Sequence, residues 1–112
     1  MARKKEAIKV IFYKSDTGVE PVREWLKKQS KKDKKILGED IMTVQYRWPL
    51  GMPLVRTLGK GLHEIRSHLS DNRIARMFFC VYAGRIILLH GFIKKTQQTP
   101  PKEIEIARQR MK

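Results

Sequence analysis

The runs Leu62-His63-Glu64-Ile65-Arg66-Ser67-His68-Leu69, Arg73-Ile74-Ala75-Arg76-Met77-Phe78-Phe79-Cys80-Val81-Tyr82 and Arg85-Ile86-Ile87-Leu88-Leu89-His90-Gly91-Phe92-Ile93 decide the fold. Each is rich in β-branched and aromatic residues. Only Ser70-Asp71-Asn72 and Ala83-Gly84 separate them. Such runs, joined by short turn-forming segments, read as consecutive antiparallel strands. Within the last, Ile86-Ile87-Leu88-Leu89 is apolar on both faces, as a central strand covered on both sides would be.

The segments on either side must supply the cover. Ala7-Ile8-Lys9-Val10-Ile11-Phe12-Tyr13 alternates weakly and reads as a first strand, followed by the turn residues Ser15-Asp16-Thr17-Gly18. Pro21 suits the first turn of a helix that gathers Val22, Trp25 and Leu26 on one side. A second helix follows the lysine run Lys31 to Lys35, with Leu37, Ile41, Val44 and Trp48 at helical spacing. Pro49 to Gly61 reads as a connector pinned to the core by Leu50, Met52, Leu54, Val55 and Leu58. Thr99 to Lys112 reads as a closing helix, with Thr99 as its cap, Pro100 in its first position and a stripe of Ile104, Ala107 and Met111. The expected order is β-α-α-β-β-β-α. That is an α+β domain, residues 1–112, with a helical hairpin on a mainly antiparallel sheet.

Composition narrows the function. Lys and Arg number 25 against 11 Asp and Glu, a formal net charge of +14 in 112 residues, with a pI near 10.3. Charged residues make up 32% of the chain, above the globular norm of about 25%. Self-repulsion at that charge opposes compaction, so a polyanionic partner is expected. Cys80 is the single cysteine, so no internal disulfide can form, and a reducing cytoplasm suits the chain. The basic start Met1-Ala2-Arg3-Lys4-Lys5 is not followed by an apolar run of signal-peptide length, because Lys9 interrupts it. The longest apolar run, Met77 to Ala83, is far short of the roughly 20 residues that span a bilayer. One cysteine and three scattered histidines lack zinc-ligand spacing, so neither a metal nor another cofactor is expected.

Placement of charge says more than its sum. Arg66, Arg73, Arg76, Arg85, Lys94 and Lys95 lie within or at the ends of predicted strands, where each must reach solvent, a partner or an ion pair. By period 2, Glu64, Arg66 and His68 share a face. Arg73 and Arg76 are three apart and face opposite ways unless a bulge near Ile74-Ala75 joins them. A strand hairpin placing Glu64, Arg66 and Arg73 beside Lys94 and Lys95 would make a positive concave surface. Arg76, Lys94, His68, Lys31, Lys32, Lys34 and Lys35 are the candidate nucleic-acid contacts. RNA cleavage without a metal needs a base for the ribose 2′-OH, cations around the in-line phosphorane and an acid for the leaving oxygen. Glu64 or His68 is the candidate base, with His90 behind them on a buried strand. The same cluster also suits simple phosphate binding.

Taken in order, Leu58-Gly59-Lys60-Gly61-Leu62-His63-Glu64-Ile65-Arg66, Asn72-Arg73-Ile74-Ala75-Arg76 and Leu89-His90-Gly91-Phe92-Ile93-Lys94-Lys95 resemble the phage-derived branch of HigB-like toxins within the RelE/ParE superfamily. The resemblance extends over nearly the whole chain. It implies a RelE-like fold and the toxin half of a type II toxin–antitoxin system, a metal-independent endonuclease that inhibits translation by cutting mRNA on the ribosome. It also implies a cognate antitoxin of helix-turn-helix, HigA-like type that blocks the toxin in a hetero-oligomer. Arg66, Arg73 and Lys95 match basic positions of the relatives, so the resemblance makes Glu64, Arg66, Arg73 and Lys95 the candidate catalytic set. Two positions depart. Glu64 stands where ribosome-dependent relatives have Lys, and Thr96, Gln97, Gln98 and Thr99 occupy the stretch where they carry a catalytic Tyr. Two other readings share the same features: a ParE-like inhibitor of DNA gyrase, and a phage-derived nucleic-acid-binding protein without catalysis.

Overall fold

The computed structural model describes residues 7–95 and 98–112. Strand β1 (Lys9–Phe12) leads into helices α1 (Pro21–Lys27) and α2 (Lys31–Arg47). Strands β2 (Val55–Gly59), β3 (Leu62–His68), β4 (Ile74–Tyr82) and β5 (Arg85–Lys94) follow, and helix α3 (Pro101–Met111) ends the chain. The five strands form one sheet in the order β1-β5-β4-β3-β2. β1 runs parallel to β5, and every other pairing is antiparallel, so the sheet is mixed. The α+β class and the helical hairpin are as expected, as is the place of β5 between two neighbours.

The expected connector holds a strand. Its second half, β2, pairs along the outer edge of β3, satisfying backbone groups that would otherwise be open on that side. The turn between them takes left-handed backbone at Gly59, Lys60 and Gly61, a conformation that glycine adopts without steric cost. The β4–β5 turn is tighter still. Ala83 and Gly84 both have positive φ, which matches the twist of a two-residue hairpin.

The sheet separates two cores. On one face Ile65, Ala75, Met77, Phe79, Ile86 and Leu88 pack with Val22 of α1 and Leu37 and Val44 of α2. Ser30 caps α2 by accepting the Asp33 amide, so the helix begins immediately after a seven-residue α1. Gly91 lets α1 approach closely: a β-carbon there would stand 2.8 Å from the Trp25 ring. On the other face Leu62, Phe78, Cys80, Leu89 and Phe92 lie beneath Ala107, Ile104 and Met111 of α3.

One expectation about the α3 side is corrected, and the open question of a bulge near Ile74-Ala75 is answered. The cap of α3 is Pro100, in extended backbone, and Pro101 is the first helical residue. A residue that precedes proline is pushed out of the helical region, so Pro100 cannot begin the helix and Thr99 is released from capping. The bulge is also elsewhere. Pairing of β3 with β4 is regular from His63↔Phe79 to His68↔Ile74. The irregularity lies in β5, where Phe78↔His90 is followed by Phe79↔Leu88, leaving Leu89 as the extra residue. Among the described residues no helix is long and apolar enough to cross a membrane.

Candidate functional site

The α3 face of the sheet carries its charge in transverse rows set by strand register. At the open end of the strands, His68, Ile74 and Lys94 stand side by side across β3, β4 and β5. The next row is Arg66, Arg76 and Phe92, and the third is Arg56, Glu64, Phe78 and His90 across β2 to β5. Side chains two residues apart on a strand share a face, so all three rows look the same way.

Arg66 and Arg76 are directly opposite one another and both are buried. Like charges in that position repel. Glu64, fully buried, answers them: its Oε1 accepts from Nη1 of Arg66 at 3.0 Å. Its Oε2 accepts from the Thr99 hydroxyl at 2.6 Å. Arg56, exposed on β2, is the cross-strand neighbour of Glu64. The guanidinium of Arg76 lies over the Phe92 ring, 5.7 Å from its centroid. Burial first, and Arg66 second, push the Arg76 pKa below its ordinary value, while Glu64 pulls it up. A guanidinium starts so far above neutrality that Arg76 keeps its charge.

Deeper under α3, His90 is held rather than presented. Its Nε2 is 2.8 Å from Glu103 of α3, and its Nδ1 is 3.3 Å from Nη1 of Arg110. Its ring stacks with those of Phe78 and Phe92. This arrangement ties α3 to the sheet, with the β5 bulge turning His90 toward the helix.

Strand register puts Glu64, Arg66, Arg76, His68 and Lys94 on one face. Arg66 and His68 also line a cavity beside Ile36 and Asp40 of α2, and other expected members lie apart. Arg73 is not joined to Arg76 by a bulge. It is on the opposite face, where its Nη2 bonds both carboxylate oxygens of Asp33 on α2 at 3.3 and 3.1 Å, and Ser70 as well. Asp33 is buried at the start of α2, so the pair fastens that helix to the β4 entrance. By alternation Lys94, not Lys95, shares the face of Phe92. Lys95 follows the strand, and both lysines are exposed. Lys31, Lys32, Lys34 and Lys35 are exposed on the first turns of α2, on the helical-hairpin side of the sheet. Thr96 and Gln97 lie outside the described residues, as do Met1 to Lys5.

Sequence reading missed two members of the cluster. Arg56 was hidden by the proline- and glycine-rich composition around β2, although Val55, Thr57 and the turn glycines are a strand-and-hairpin signal. Thr99 was assigned to the helix cap, and the second proline is the signal against that.

Chemically, the face offers two guanidinium groups in register, Arg66 held by the Glu64 carboxylate and Arg76 lying over the Phe92 ring. At its open end stand a solvent-exposed imidazole, His68, and a solvent-exposed ammonium, Lys94. Both Glu64 oxygens are engaged, so Glu64 acts here as the group that positions Arg66. No curated protein matches the chain. The model of the family described as Phage derived protein Gp49-like (DUF891) matches residues 24–112, which include every residue of the three rows, and the chain therefore belongs to that family.

Proposed function

We propose that this chain is the toxin of a type II toxin–antitoxin pair, of RelE/HigB-like fold, and that it cleaves mRNA on the ribosome. The observation that carries the reading is the α3 face. There Arg66 and Arg76 stand in register, Glu64 holds Arg66, and His68 and Lys94 are exposed in the adjoining row. Membership of a phage-derived family supports it.

In this reading the RNA phosphate docks at the open end, against Lys94 and the exposed edge of Arg66. His68 takes the proton from the ribose 2′-OH as that oxygen attacks the adjacent phosphorus. The bond to the 5′-oxygen breaks as a water molecule gives that oxygen a proton, leaving a 2′,3′-cyclic phosphate and a 5′-hydroxyl. His68 then returns its proton to the resulting hydroxide. Arg66 supplies charge where the phosphorane develops it, in a geometry fixed before the substrate arrives. Arg76 is too deeply buried to touch the phosphate, and it raises the positive potential behind Arg66. The antitoxin masks this positive surface with an acidic segment.

Controlled expression in a bacterium, followed by mapping of mRNA 5′ ends, tests the proposal. New 5′-hydroxyl ends within translated frames are expected, and they should vanish in His68→Gln and Arg66→Gln. Growth arrest without new ends in translated frames would overturn it.

A further inference from the structure

A second surface lies at the other end of the α3 face. Arg76, Phe78, Cys80 and Tyr82 alternate along β4, so Tyr82 points the same way as Arg76. They are six positions apart, about 20 Å along a strand, and α3 covers the ground between. Past the end of α3 there is a cavity of about 840 Å³, lined among others by Tyr13, Tyr82, Lys14, Lys60, Arg110 and Lys112. Its lining includes four cationic side chains and no carboxylate side chain. Tyr82 is 73% exposed, the most exposed of the large hydrophobic side chains among the described residues.

The backbone that carries that ring is held in register. Tyr82 ends β4 directly opposite Arg85, across the Ala83-Gly84 turn, and Arg85 pairs in turn with Lys9 of β1. The second ring, Tyr13, is backed by Arg110, whose guanidinium lies 5.5 Å from its centroid. Arg110 is itself anchored to the Leu89 carbonyl at 2.9 Å. Lys14, Lys60 and Lys112 make no ion pair among the described residues. An exposed aromatic ring at a cavity lined by lysines without ion pairs is the combination that binds single-stranded nucleic acid: the ring stacks a base and the lysines hold phosphates. An acidic peptide would satisfy the lysines equally well, but it covers the flat face of Tyr82 only where its sequence places an aromatic or apolar side chain, whereas every nucleotide brings a π-face. The volume is within the usual range for an organic ligand site.

We propose that the cavity between β4, β5, β1 and the end of α3 is a stacking site for single-stranded RNA, with Tyr82 as the base platform and Lys14 and Lys60 as phosphate contacts. It takes its polymer class from the cleavage reading above but is separate from the Arg66 row, so it holds RNA away from the cutting end.

The test is binding of the full chain to a short, fluorescein-labelled, 2′-O-methylated single-stranded RNA, which cannot be cut through its 2′-oxygen, followed by anisotropy over a range of salt concentrations. Tyr82→Ala should weaken binding about 5- to 150-fold, the equivalent of about 1–3 kcal/mol for one stacked base. Tyr82→Phe should bind like the wild type. Lys14→Gln with Lys60→Gln should reduce the salt slope by about 1.4, at about 0.7 per single-strand phosphate contact. Unchanged affinity in Tyr82→Ala overturns the proposal. So does equal weakening in Tyr82→Phe, because the ring would then not be the contact. Polyglutamate binding with the same dependence on Tyr82 would also overturn it, making the site one for acidic protein. A chain that binds through Tyr82 but cuts no message keeps this inference and loses the cleavage reading; a chain that cuts without any dependence of binding on Tyr82 does the reverse.

Discussion

The two faces of the sheet are built from the same strands and serve different ends. Under α1 and α2 the strands present Ile65, Ala75, Met77, Phe79, Ile86 and Leu88, an apolar layer with one ion pair, Asp33–Arg73, at its margin. Under α3 the same strands present Glu64, Arg66, Arg76 and His90 among Leu62, Phe78 and Phe92. A buried ion pair is a poor way to stabilise a fold, because desolvation consumes most of its Coulombic gain. A sheet that has one dry face and keeps three charged groups buried on the other is retaining them for the arrangement they hold. In the proposed reading the hairpin face serves the fold alone, while the α3 face serves both the fold, through its own core, and the chemistry.

Four substitutions sharpen or break that division, in descending order of effect. Glu64→Ala leaves Arg66 and Arg76 facing one another without their carboxylate and should cost about 3–5 kcal/mol in urea unfolding. A cost below 1 kcal/mol would mean the cluster is not held by Glu64. On the other face, Gly91→Ala forces the Trp25 ring aside and should cost about 1–3 kcal/mol as overpacking. Molecules that remain folded should keep their activity. Thr99→Val removes the hydroxyl that bonds Glu64 and should cost about 1–2 kcal/mol, with a larger loss of activity than Gly91→Ala gives. An effect on stability alone would confine Thr99 to the fold.

The smallest effect is a pH dependence. Burial beside Trp48 and Phe79 pushes the His63 pKa below its ordinary 6.5. The unfolded chain then binds a proton more readily than the folded one, so stability rises with pH across that range. The contribution is complete above about 6.5 and is lost as pH falls through the folded value. Thermal melts between pH 7.5 and pH 5 should show a shallower dependence in His63→Gln than in the wild type. An identical slope would remove His63 from the account.

Much of the fold is legible in the sequence because strand signals are local. Leu62 to Ile93 announces its strands through β-branched and aromatic runs, and the Ala83-Gly84 turn fixes their pairing. The helical hairpin follows from Val22, Trp25, Leu37 and Val44. What is not legible depends on tertiary partners. The parallel pairing of β1 with β5 joins segments more than 70 positions apart, and no local pattern encodes it. The strand β2 is half polar, and its short strand-and-hairpin signal is masked by the prolines and glycines around it; pairing along the edge of β3 completes it. The site divides in the same way. Glu64, Arg66 and His68 share a face by simple alternation, which sequence alone gives. That Arg73 turns to Asp33 on α2, and that Thr99 turns to Glu64, depends on where two helices land.

The central claim is that the Arg66 side of the sheet works on RNA while the Arg73 side holds the fold. The most direct measurement is cleavage of ribosome-bound mRNA by purified wild type, Arg66→Gln and Arg73→Gln, each kept below its measured melting temperature. The account predicts that Arg66→Gln loses about 10²–10³-fold in cleavage rate, as removal of one preorganised donor does. Arg73→Gln should melt earlier yet cut at close to the wild-type rate. A folded Arg73→Gln that no longer cuts, beside an Arg66→Gln that does, would contradict it.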